Sequence, residues 1–172
     1  KYSILVIAAA IGMWSTAASV SALAAMPPPS SDLRTARLEF QTRTLANGLQ
    51  VISLQDRNTA DVTVQVWYRV GSKDDPQGRS GFAHLFEHMM FKATRNLPDD
   101  TWETLTESVG GVNNAGVFPD ATWYFSVAPA NQLERLIFAE AERMGSLVVD
   151  EAALLSETSV VQEEYRQRVL AE

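Results

Sequence analysis

Gly81-Phe82-Ala83-His84-Leu85-Phe86-Glu87-His88-Met89-Met90-Phe91-Lys92 contains both histidines of the 172-residue chain. The stretch predicts a helix over 81–92, and His84 and His88 stand four residues apart in it. That spacing places both imidazoles on one helix face, one turn apart, where they can grip a single metal ion. Glu87 follows His84 by three residues and reaches the same face. It is suited to take a proton from metal-bound water rather than to bind the ion. Zinc lowers the pKa of such a water to about 7, and a neighbouring carboxylate completes its activation. Two histidines placed at random in a chain of this length fall four apart about 1% of the time, and the glutamate requirement reduces this roughly tenfold, so H-x-x-E-H is read as a motif rather than as an accident.

A zinc site that keeps one position open for water needs a third protein ligand. The chain has no cysteine and no further histidine, so that ligand must be Asp or Glu. A last helix, beginning near Asp150, offers Glu157, Glu163 and Glu164. Glu157, Val161 and Glu164 share a face, whereas Glu163 is turned roughly 100° away and is expected in solvent. One of Glu157 and Glu164 is then a ligand, and the other orients a histidine.

Outward from this segment, the pattern predicts strands on both sides. Phe40–Leu45 and Leu49–Gln55 flank Ala46-Asn47-Gly48, a hairpin signal. Val62, Val64 and Val66 alternate with Thr63 and Gln65 in a third strand, Val62–Val70. Gly71 to Ser80 reads as a loop. Beyond the histidines, a helix starts at Pro98-Asp99-Asp100, runs to Val109 and stops at Gly110-Gly111. Val112–Phe118 and Thr122–Ala128 predict two more strands. Asn131–Met144 predicts a helix that buries Leu133, Leu136, Ile137 and Met144. The class is α+β, a mostly antiparallel sheet with helices packed on it.

The first residues read as an address. Lys1 precedes an uncharged stretch from Ile4 to Val20, and Ala22-Leu23-Ala24 supplies a small-residue exit. Residues 1–25 are therefore expected to be a signal peptide, which implies a periplasmic or secreted protein. Residues 26–38, rich in Pro and Ser, form a linker. If the segment stays uncleaved it becomes a membrane anchor, since its length approaches the ~18 residues that span a bilayer. The chain starts at Lys1 and stops at Glu172 inside a charged helix, so it is expected to be an N-terminal piece of a longer protein. The net charge of −7 and the lack of a basic cluster exclude a nucleic-acid partner.

From about Thr44 onward the chain resembles the pitrilysin and insulinase metallopeptidases, which include mitochondrial processing peptidase subunits and many bacterial periplasmic relatives. The histidine box in its Gly81–Lys92 setting carries the likeness. It implies that residues 39–172 are the N-terminal metallopeptidase domain, incomplete at its C-terminus. It also implies one Zn2+ per chain held by His84, His88 and Glu164, with Glu87 as the catalytic base and Glu157 as the supporting carboxylate. Between His88 and Glu164 stand 75 residues, the separation the family uses. By the same likeness, Gly110-Gly111 and Asn113-Asn114-Ala115 form a sheet-edge strand on which Asn114 and Ala115 touch an extended peptide substrate. A further C-terminal domain or a partner subunit would complete the site. The chain departs from the family at Ala93, where Gly is common, and at Ala121, where Arg is common. The activity implied is a zinc endopeptidase hydrolysing peptides or small unfolded proteins. The alternative is a non-catalytic peptide-binding subunit with a structural zinc, working with a catalytic partner.

Overall fold

A computed structural model describes residues 38–170, so the expected signal peptide lies outside the described residues, as does the linker except for Leu38. The chain divides after Leu54 into two compact units. In the first, strands β1 (Gln41–Thr44) and β2 (Gln50–Ser53) pair antiparallel, with Thr44 opposite Gln50. The turn forms where the Asn-Gly pair predicts it. Gly48 has φ +88°, a conformation costly for any residue with a Cβ. Its N–H donates to Leu45 O at 2.9 Å, and Asn47 Oδ1 accepts from Leu49 N at 3.1 Å.

The second unit holds strands β3 (Asp61–Tyr68), β4 (Val112–Val117) and β5 (Thr122–Pro129) in the order β3-β5-β4, all antiparallel. Four helices belong to it: α1 (Phe82–Met89), α2 (Thr101–Glu107), α3 (Leu133–Ser146) and α4 (Glu151–Tyr165). The architecture is thus α+β, as expected. Burial alternates along β3, with Val62, Val64 and Val66 on the more buried side, and along the central strand β5. Thr122, Tyr124, Ser126 and Ala128 of β5 point into the core. Trp123 and Phe125 face the other way; Trp123 stacks on Phe125 with ring centres 4.8 Å apart and on Trp67 of β3 at 5.8 Å. On the core side, Trp102 and Leu105 of α2 pack with Ala139 of α3, joined by Phe91 and Leu97.

Helix α3 departs from expectation. Ile137 is 53% exposed and Met144 41%, and Leu133 is exposed too. Leu136 is buried as expected, but it shares the inner face with Ala139, Glu140 and Arg143. Hydrophobicity alone picked the wrong stripe because a charged pair occupies the inner face. The Arg143 guanidinium carbon lies 3.5 Å from the Trp102 ring centre, 4.4 Å from Tyr124 and 5.0 Å from Phe91.

Helix α1 is held at its start by a residue remote in sequence. Gly81 enters the helix with φ +92°, and its N–H donates to Asp75 Oδ2 at 2.7 Å. Ala83 N–H donates to Asp75 Oδ1 at 2.8 Å. One carboxylate therefore satisfies two of the amide donors that a helix start leaves unpaired, at the end where the helix dipole favours an anion. The loop carrying Asp75 is pinned to the β4–β5 turn, with Ser72 N donating to Phe118 O at 3.0 Å and Lys73 N to Pro119 O at 2.9 Å. Asp75→Ala is expected to cost about 1–2 kcal/mol, by analogy with lost N-caps. Urea unfolding of the full-length protein measures this, and an unchanged midpoint would mean that the loop does not support α1.

Candidate metal centre

Helices α1 and α4 pack against each other, and the histidine box meets the glutamates of α4 across that contact. The His84 and His88 rings sit edge to face, 4.9 Å between centres. Glu164 reaches both, with Oε2 3.6 Å from His84 Nε2 and Oε1 3.7 Å from His88 Nε2. One donor atom from each of His84, His88 and Glu164 lies within 4.8 Å of the others. Tetrahedral bonds of 2.0–2.1 Å to nitrogen and oxygen set donor atoms about 3.4 Å apart, so small side-chain movements would let the three residues share one ion. All three are partly exposed, which leaves an approach for a fourth ligand.

Glu157 lies about two helical turns before Glu164 and is only 7% exposed. Its Oε2 stands 3.2 Å from His88 Nδ1. A carboxylate there accepts an Nδ1–H, which leaves Nε2 bare and facing Glu164. This arrangement separates two roles that helical spacing alone left interchangeable: Glu164 faces both Nε2 atoms, and Glu157 holds one ring from behind. Glu163, as expected, stays in solvent and pairs with Arg166 at 3.1 Å. Arg168 adds a cation 3.4 Å from Glu164.

Electrostatics follow from partial burial. Burial pushes the Glu87 carboxyl above its ordinary value, opposed by the neighbouring His88. Burial, then the proximity of His88, pushes His84 down toward its neutral form, which is the form that can ligate.

Among the described residues, strand β4 lies at one edge of the three-stranded sheet, paired only with β5. Asn114 stands opposite Phe125 and Ala115 opposite Tyr124. The Ala115 N–H donates to Asn114 Oδ1 at 2.8 Å. Asn113 turns inward instead, donating through Nδ2 to Thr106 Oγ1 at 2.6 Å and tying β4 to α2. Asn113-Asn114 is therefore strand rather than turn.

Sequence reasoning missed Asp75, Lys92 and Arg143. Asp75 sits six residues before the helix it supports, in a loop with no capping pattern, and nothing local signals it. Lys92 reads as an ordinary charged residue at a helix end.

A helix carrying H-x-x-E-H is the signature of the inverted-motif zinc peptidases. The chain belongs to the insulinase family, peptidase family M16, whose model matches residues 50–171. It is 42% identical over 131 residues to the zinc protease PqqE of Helicobacter pylori, covering 76% of this chain and 30% of that protein. A crystal structure of a protease from Helicobacter pylori superposes with a TM-score of 0.73 at 40% identity, over 76% of this chain and 32% of the other. Pitrilysin shares the fold, with a TM-score of 0.71 at 23% identity over 78% of this chain and 14% of its own. The chain thus spans about a third or less of the length of these relatives.

Proposed function

We propose that the full-length protein is a zinc-dependent endopeptidase cleaving peptides or small unfolded proteins in the periplasm or outside the cell. The observation that carries this reading is the convergence of His84, His88 and Glu164 on one point, with the Glu87 carboxylate on the same helix as the histidines. The donor set fits zinc: two imidazoles and one carboxylate, with one ring backed by a second carboxylate. Zinc held there would polarise the scissile carbonyl and acidify the attacking water. His84, His88 and Glu164 are the residues that would hold it. Glu87 takes the proton from the attacking water and passes it to the leaving amine. Glu157 keeps His88 in the tautomer that ligates. An extended peptide adds to the free edge of β4, where its backbone would displace the Asn114 side chain from the Ala115 N–H.

The intact histidine box supports the enzyme over the non-catalytic subunit. A further C-terminal domain or a partner chain is part of the proposal, since the match covers only 30% and 32% of these relatives' own length. Export follows from the N-terminal segment, and retention of that segment would tether the same chemistry to a membrane. Among the described residues no helix is long and apolar enough to cross one.

The test is metal content of the purified full-length protein beside a Glu164→Gln variant. About one zinc per chain is expected, with the variant's affinity falling by at least the 10–100-fold typical of losing even a supporting residue. A protein that takes up no zinc, or a variant that binds it equally well, would overturn the assignment. Removing zinc with a chelator should abolish cleavage while the fold persists; cleavage that survives would refute the enzyme mechanism.

A further inference from the structure

Glu157 and Glu140 are the buried glutamates among the described residues, and they are held differently. Neither oxygen of Glu140 has a hydrogen-bond partner among the described residues. Both oxygens of Glu157 are engaged. Oε2 meets His88 Nδ1 at 3.2 Å, and Oε1 lies 2.9 Å from the ammonium of Lys92. Lys92 follows α1 in a turn, its own N–H donating to Met89 O at 3.1 Å. Asp99, half-exposed, is a second and longer partner for the same ammonium at 3.5 Å. The segment that carries the histidines thus returns, four residues after His88, to clamp the carboxylate that backs His88.

The last torsion of a glutamate is broad and roughly two-fold, so one hydrogen bond alone does not fix which way the carboxylate faces. Lys92 supplies the second hold, and among the described residues it is the lysine paired with Glu157. We propose that Lys92 is a positioning residue for the metal centre: by holding Oε1 of Glu157, it aims Oε2 at His88 Nδ1 and fixes the tautomer whose bare Nε2 faces Glu164. This role rests on the metal-centre reading above. It is specific to geometry: Lys92 touches neither a ligand nor the reacting atoms, and it acts through Glu157.

The experiment uses the full-length protein and the variants Lys92→Met, which keeps the stem and removes the charge, and Lys92→Arg, which retains the charge. Two quantities are read: the nitrogen shifts of the His88 ring in the metal-free protein, and the zinc dissociation constant by chelator competition. In the unaltered protein His88 is expected as the Nδ1–H tautomer. In Lys92→Met it becomes a mixture of tautomers, and zinc binding weakens about tenfold, the lower end of the range for residues that orient a ligand. Lys92→Arg recovers most of both. Should Lys92→Met fail to fold, the same readings are taken on Lys92→Gln. A folded, uncharged variant with unchanged His88 tautomer and unchanged zinc affinity would overturn the proposal, as would an Arg variant no better than Met. The two readings fail separately. An unaltered protein that binds no zinc refutes the metal centre, while the tautomer still reports whether Lys92 sets His88.

Discussion

Glu87→Gln in the full-length protein is expected to retain zinc and to lose peptide cleavage by about 10²–10⁴-fold in kcat, the usual contribution of a positioned general base. The substitution keeps volume and hydrogen-bonding reach but removes the ability to accept a proton. Zinc content should not change, because the converging donors come from His84, His88 and Glu164. Stability should not fall either. Burial already works against the charged Glu87, pushing its carboxyl above the ordinary value, so a neutral amide relieves that cost. The pattern is thus diagnostic: metal bound, fold kept, turnover lost. Cleavage within tenfold of the unaltered protein would remove Glu87 from the mechanism. Joint loss of zinc and cleavage would make it a ligand instead.

The site was legible in the sequence to the extent that it depends on one helix. His84, Glu87 and His88 lie on α1, and periodicity alone places them together. Glu157 and Glu164 were legible as a pair on α4, because the same periodicity governs that helix. Which of the two faces the metal is a question of how α1 and α4 cross. Helical spacing is silent on that; the resemblance named Glu164, and its carboxylate lies 3.6 and 3.7 Å from the two Nε2 atoms. Strands β3 and β5 were legible from alternation and hairpin β1–β2 from Asn47-Gly48. What sequence could not supply is contact between remote segments. Asp75 reaches α1 across a loop, and Lys92 reaches Glu157 across two helices. The misread face of α3 has a different cause: a buried arginine among aromatic rings breaks the rule that the apolar stripe marks the inside.

That arginine carries the other large effect. Arg143→Ala is expected to destabilise the full-length protein by about 3–5 kcal/mol, the range for breaking a buried ion pair from one side. Two losses combine. The guanidinium contacts three rings, on α2, on β5 and just after α1, and desolvated cation–π contacts are worth up to ~2 kcal/mol each. Its removal also leaves Glu140 without its cation. The two groups are 3.7 Å apart, too long for a hydrogen bond, yet both are almost wholly buried. Burial already raises the Glu140 carboxyl above its ordinary value, and Arg143 opposes that rise. The single loss should therefore drive Glu140 toward its neutral form. The two contributions are separable. Arg143→Met restores apolar contact with the rings but still orphans Glu140, and adding Glu140→Leu removes the orphan. The double variant is expected to be more stable than Arg143→Met alone, a non-additivity that denaturant unfolding of the two single variants and the double resolves. If the double variant were instead as unstable as the sum of its parts, the charge pair would contribute nothing through mutual compensation. The aromatic cage alone would then explain why α3 turns its charged face inward.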